Sequence, residues 1–310
     1  MDISFLHVKH LYTANAKILG VVRLSRWREH VPYTIPAVVG GAMIAVYQTG
    51  GALDFRLLAV AIASILAMSF AFIINDVEDA PDDALDPQKK LHNVISSGIL
   101  SQREGALLAW LTFVASLLFY GLAGGWPLFW GGMILALSYL YSAHPFRFKA
   151  RPVTDVVSHA LMLSGLLVMV GYFTYSDAFG VGWYMIAAAT LFSAYGQFYN
   201  QVDDYDVDKA AGLKNTVVLL GKRGTMTLMY LCAIGAVLFM CMAILGGAFP
   251  LWLGPVAIIT IFTMALFRWE IDMRGKKAEG SGISQIPGLV LANIVILLWL
   301  AQHIGLLKIG

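Results

Sequence analysis

From Leu57 to Ile74 the chain carries no charged residue. A helix of that length rises about 27 Å at ~1.5 Å per residue, close to the thickness of a bilayer's hydrocarbon core. Similar runs recur, and the pattern predicts nine spanning helices. They fall at Val31–Thr49, Leu57–Ile74, Glu104–Ala123, Trp126–Ala143, Thr154–Tyr175, Val181–Tyr199, Thr225–Leu245, Leu251–Phe267 and Ile286–Leu306. Composition agrees: 13% of the 310 residues are charged, against about a quarter in soluble domains, and mean hydropathy is +0.72. The fold class is therefore an all-α integral membrane protein, with residues 1–310 forming one polytopic domain.

The basic residues give an independent test of this topology. With the N-terminus in the cytoplasm, nineteen of the 21 Lys and Arg fall on the cytoplasmic side, leaving Arg56 and Lys308 outside. That asymmetry follows the positive-inside rule. The stretch Met1 to His30 is too long and mixed for a cleavable signal, so the first apolar run is expected to remain in the mature protein. A net charge of +2 offers no basic face for nucleic acid. Two cysteines, Cys232 and Cys241, lie in one apolar run and make neither a metal cage nor a disulfide framework.

The acidic residues concentrate differently. Ten of the nineteen Asp and Glu lie in Asp76–Asp86 and Asp203–Asp208, each just after an apolar run. Asn75, Asp79 and Asp83 are spaced i, i+4, i+8, and Asn200, Asp204 and Asp208 repeat that spacing. On a helix each set shares one face. Pro81 lacks the donor for the carbonyl of Val77, so a kink or helix end is expected there. Carboxylates converging at a membrane surface repel one another and call for a cation. Oxygen ligands without clustered His or Cys select a hard ion, Mg²⁺ foremost, which prefers a few carboxylates together with substrate phosphates. An EF-hand is excluded, because Lys209 stands where its turn glycine belongs. A diphosphate also wants cationic donors, and Lys89, Lys90, Arg147, Lys149, Arg151 and Lys214 lie beside the motifs. A diphosphate at the surface of an apolar bundle implies a lipid diphosphate. Within the fifth segment, Asp155 lies one turn before His159 and is a candidate partner for it.

Asn75-Asp76-x-x-Asp79-x-x-x-Asp83, then Asp204-x-x-x-Asp208 leading to Gly212-Leu213-Lys214-Asn215-Thr216, resembles the paired motifs of the UbiA superfamily of intramembrane prenyltransferases. Leu140-Tyr141-Ser142 and Pro145-Phe146-Arg147-Phe148-Lys149 are similar to the family's pattern after the fourth segment. The resemblance implies a single helical bundle around a central cavity. In it both motifs bind a polyprenyl diphosphate through Mg²⁺, and the ionised prenyl group alkylates a lipophilic acceptor within the membrane. On that match Asn75, Asp76, Asp79, Asp83, Asp204 and Asp208 hold the metal. Asn200, Lys89, Lys90, Arg147, Lys149 and Lys214 contact diphosphate, and Tyr141 lies near the leaving group. One departure stands out: quinone-pathway members carry an arginine near Asn93 that is absent here, so its contact is expected to pass to Lys89 or Lys90. Acceptors compatible with the motifs are a quinone precursor or other aromatic, a carotenoid, or a lipid, with a carotenoid (lycopene) elongase-type reaction as the alternative. The motifs after segments two and six also suggest a four-helix unit used twice, helices 1–4 and 5–8. CDP-alcohol phosphotransferases are disfavoured, because their Asp-Gly-x-x-Ala-Arg is missing. A cation transporter with a carboxylate site would place its acids near the midplane between broken helices, whereas these acids lie at one interface.

Overall fold

The computed structural model describes residues 15–210, 212–267, 270, 271, 277 and 285–308. Lys9, Arg268, Arg274 and Lys276, four of the residues in the charge asymmetry, lie outside this set. The helices are α1 (residues 15–24), α2 (Trp27–Thr49), α3 (Phe55–Asp83), α4 (Pro87–His92), α5 (Gln102–Ala123), α6 (Gly125–Ser142) and α7 (Thr154–Ala160). A π-helical stretch at Leu161–Gly165 joins α7 to α8 (Leu166–Tyr172). There follow α9 (Gly182–Asp203), α10 (Tyr205–Ala210), α11 (Thr216–Leu245), α12 (Leu253–Ala265) and α13 (Gln285–His303). Among the described residues the one extended pairing is an isolated bridge between Ile271 and Lys277.

Each expected spanning segment coincides with one of these helices or, for the fifth, with the α7–π–α8 series. Six are long and apolar enough to cross a membrane: α2, α3, α5, α7 through α8, α11 and α13. The apolar character of α6 and α9 is diluted by Trp, Tyr, Gly and Gln, and α12 has 13 residues. Among the described residues, length and apolarity alone thus account for six of the nine expected spans.

The exposed faces identify the surrounding solvent. Leu107, Leu111, Leu118 and Leu122 form an exposed stripe on α5, and Leu231, Leu238 and Met242 do so on α11. In water such stripes would forgo roughly 25 cal/mol per Å² of apolar surface; in lipid they are solvated. The protein is an integral, multi-pass membrane protein. Inside the bundle, helices approach through small residues and short polar links, as is usual where lipid removes the hydrophobic drive for helix association. The added Cβ of an alanine at Gly171 would lie 1.9 Å from the Val38 carbonyl oxygen, so only glycine lets α8 touch α2 there. The Ser116 hydroxyl donates to the Ala63 carbonyl (2.8 Å), and Ser64 and Tyr120 share a buried hydrogen bond of 3.1 Å.

Pro81 stands two residues before the end of α3 at Asp83, in keeping with the expected helix end. Asn93 Nδ2 donates to the Asp76 carbonyl (2.8 Å) and Ser96 Oγ to the Ala80 carbonyl (2.8 Å), which ties this last stretch of α3 to the chain after α4. One local expectation is corrected. The second motif does not lie on one helix, since α9 ends at Asp203 and α10 begins at Tyr205. Its register nevertheless holds, because the Asp204 N–H reaches the Asn200 carbonyl (3.0 Å) and the Asp208 N–H the Asp204 carbonyl (2.9 Å).

Candidate active site

The end of α3 projects Asn75, Asp79 and Asp83 from one face, with Asp76 beside them. With Arg26, Lys89, His92 and Asn93 they line a cavity of about 440 Å³. Lys149, on a 3₁₀ turn at Phe148–Ala150, is largely buried and grips this face. Its Nζ donates to Asn75 Oδ1 (2.9 Å) and to both oxygens of Asp79 (2.6 and 2.5 Å). Arg147 donates to Asp79 Oδ1 (3.1 Å) and Asp82 Oδ2 (2.9 Å). Burial lowers the Lys149 ammonium below its ordinary value, against the raising pull of Asp79. Asn75 is held from a further side by the Ser142 hydroxyl (3.2 Å) at the end of α6.

Arg26 was not among the residues singled out from the motifs. It sits where α1 turns into α2, with φ of 48°, and reaches Asp76 (3.6 Å) and Glu29 (2.9 Å). Its guanidinium also lies 5.0 Å from the centre of the Phe72 ring. Arg147 has φ of 41°. Left-handed backbone is uncommon for residues other than glycine and gathers at functional sites; of the three instances among the described residues, Arg26 and Arg147 bring an arginine to the acidic face. Asn93 is the second residue missed. It is buried, donates to Asp83 Oδ2 (2.9 Å) as well as to α3, and accepts from the N–H groups of Ile95 and Ser96. Its position matches the absent arginine, and Lys89 rather than Lys90 lines the cavity. Lys90 and Lys214 are exposed.

The second motif borders this region without lining the cavity. Asn200 and Asp204 are half-buried. Asp208 accepts from Asn215 Nδ2 (2.7 Å), the residue that also caps α11 through Val218 N–H (3.2 Å). Burial raises the Asp208 carboxyl above its ordinary value, partly offset by the Asn215 hydrogen bond, and the charge of Lys89 acts on it as well. Tyr141 is half-buried at the end of α6, its hydroxyl bonded to Gln197, and its ring lies 6.2 Å from that of His159. The expected pairing of Asp155 with His159 does not form: Asp155 bonds Gln201 and Thr216, while Nδ1 of His159 is buried without a partner.

Among the described residues no three His, Cys, Asp or Glu side chains gather closely enough to make a ready metal cage. The donors present are amide and carboxylate oxygens, which suit a hard cation that completes its shell with water and phosphate. Chemically, the arrangement is an oxygen-rich, cation-ringed mouth above an apolar bundle.

Known proteins resemble this chain along most of its length. A UbiA homolog from Archaeoglobus fulgidus, solved bound to GPP and Mg²⁺, superposes with a TM-score of 0.68 at 24% identity, covering 92% of this chain and 98% of that one. A lycopene elongase/hydratase of Corynebacterium glutamicum is 25% identical over 64% of this chain and 68% of its own length. One of Haloferax volcanii is 31% identical over 50% of each. The profile of the UbiA prenyltransferase family matches residues 33–281, and this chain therefore belongs to that family of prenyltransferases.

Proposed function

We propose that this protein transfers a prenyl group from a prenyl diphosphate to an uncharged polyene of the carotenoid class. The observation that carries the donor half is the convergence of Lys149 and Arg147 on Asp79 at the mouth of the bundle. The acceptor half is supported by the lycopene elongase/hydratase relatives.

Lys149, Arg147 and Lys89 neutralise charge on the departing diphosphate, and Asn75 and Asn200 orient it, with Lys90 and Lys214 at the exposed rim. Mg²⁺, held by Asn75, Asp76, Asp79, Asp83, Asp204 and Asp208, would supply further neutralisation of the leaving group. Tyr141, fixed by Gln197, faces the reacting end of the prenyl chain. The allylic C–O bond breaks with its electron pair leaving on diphosphate, and a double bond of the acceptor attacks the freed carbon. The resulting cation then loses a proton to the released diphosphate. The apolar helix walls exclude water while the cation exists. The two most extensive helix contacts, α3 with α5 and α9 with α11, occupy equivalent places in the two proposed halves.

Purified protein given labelled dimethylallyl or geranyl diphosphate, Mg²⁺ and lycopene in lipid vesicles should yield a labelled polyene heavier by one prenyl unit per transfer. Labelling that appears only with an aromatic quinone precursor would replace the polyene assignment. The excess of Lys and Arg on one side supports a cytoplasmic acidic face. In intact cells carrying a variant without Cys232 and Cys241, an impermeant maleimide should label a cysteine at Leu251 and spare one at Leu85. The reverse pattern would invert the topology.

A further inference from the structure

We propose that Asp155 is a positioning residue that ties the cationic loop to the second acidic motif and, through Thr216 and Asn215, aims Asp208 at the diphosphate. The inference rests on the prenyl-transfer reading above. Asp155 lies on α7 and is fully buried. Its Oδ2 accepts from Gln201 Nε2 on α9 (2.7 Å) and from the Thr216 N–H at the start of α11 (2.7 Å). Its Oδ1 accepts from the Thr216 hydroxyl and from the Val156 N–H (2.8 Å). A buried carboxylate is costly, and a site that needed only packing would be served better by an apolar side chain. These donors are a neutral amide, a hydroxyl and backbone N–H groups, so the carboxylate orients dipoles rather than pairing a cation.

What those donors carry explains the choice. The Thr216 hydroxyl, while donating to Asp155, accepts from the N–H of Val153 (2.8 Å). Val153 is β-branched and has φ of 70°, a conformation that persists only when its surroundings enforce it. Thr154 Oγ1 folds the same loop back by donating to the carbonyls of Phe148 (3.2 Å) and Arg151 (3.1 Å). Upstream on this loop are Arg147 and Lys149, which hold Asp79. On the other side, Thr216 follows Asn215, whose amide donates to Asp208 Oδ2 (2.7 Å). One carboxylate therefore sets the distance between the loop that bears the cations and the loop that steadies the second motif. Partners of this kind behind a ligating shell change metal affinity about 10–100-fold when removed.

The test uses full-length protein in detergent with Asp155→Asn, Thr216→Val and Thr216→Ser. Thr216→Val deletes the hydroxyl and keeps the shape, while Thr216→Ser keeps the hydroxyl. Titration with geranyl S-thiolodiphosphate and Mg²⁺ should show about tenfold or greater weakening for Asp155→Asn and Thr216→Val, with Thr216→Ser near wild type. Without any ligand, amide exchange in residues 147–154 and 212–218 should accelerate together in the two weakened variants. Wild-type affinity in both, even with lowered thermal stability, would overturn the proposal, as would unchanged exchange in either loop or failure of Thr216→Ser to restore binding. A wild-type protein that does not bind the thiolodiphosphate at all would instead overturn the prenyl-transfer reading, and exchange would still show whether Asp155 couples the loops.

Discussion

Alanine at Asp79 or at Asp208 should each lower turnover on the order of 10²-fold or more, equivalent to roughly 2.7 kcal/mol of barrier. The double variant should be little worse than the poorer single one. Asp79 is the carboxylate on which Lys149 and Arg147 converge, and Asp208 is steadied by Asn215. If both act on one leaving diphosphate, losing either leaves that group poorly neutralised, and the second loss has little left to remove. Groups that work as a unit are grossly non-additive in their kinetics, whereas independent sites add to within ~0.5 kcal/mol. Turnover of the two single variants and the double variant decides the matter, provided each inserts and purifies monodisperse. Losses that add logarithmically would show two sites rather than one. Asp82 is a useful contrast: it shares Arg147 but is largely exposed, so Asp82→Ala should cost far less.

Removal of divalent metal should abolish activity altogether, with recovery on adding Mg²⁺ or Mn²⁺ and loss of donor affinity in parallel. The donors are carboxylate and amide oxygens, and the described residues form no closed cage, so the ion should be exchangeable by a chelator and should bind more tightly when diphosphate is present. Equilibrium binding of the same thiolodiphosphate with and without EDTA measures this directly. Full activity in chelator would mean that Lys149, Arg147 and Lys89 alone neutralise the leaving group, and the acidic motifs would need another explanation.

The sequence by itself determined the membrane class, the all-helical architecture and the two acidic faces. Each follows from local chemistry: uncharged runs must bury their backbone hydrogen bonds in helices, and the i, i+4, i+8 spacing is a property of any helix. The match of the paired motifs also carried the family. The number of helices apolar enough to span was less legible, because Trp, Tyr and Gly lower the apolarity of α6 and α9 while packing against neighbours keeps them helical. Tertiary structure alone decided which cations serve the site. Lys89, Lys90, Lys149 and Lys214 are equivalent in a sequence, yet Lys149 is drawn inward onto Asp79 while Lys89, Lys90 and Lys214 stay exposed. Arg26 lies about fifty residues before the first motif and Asp155 about fifty before Asp208. Their partners become neighbours only when separate helices pack, and no local periodicity records that contact.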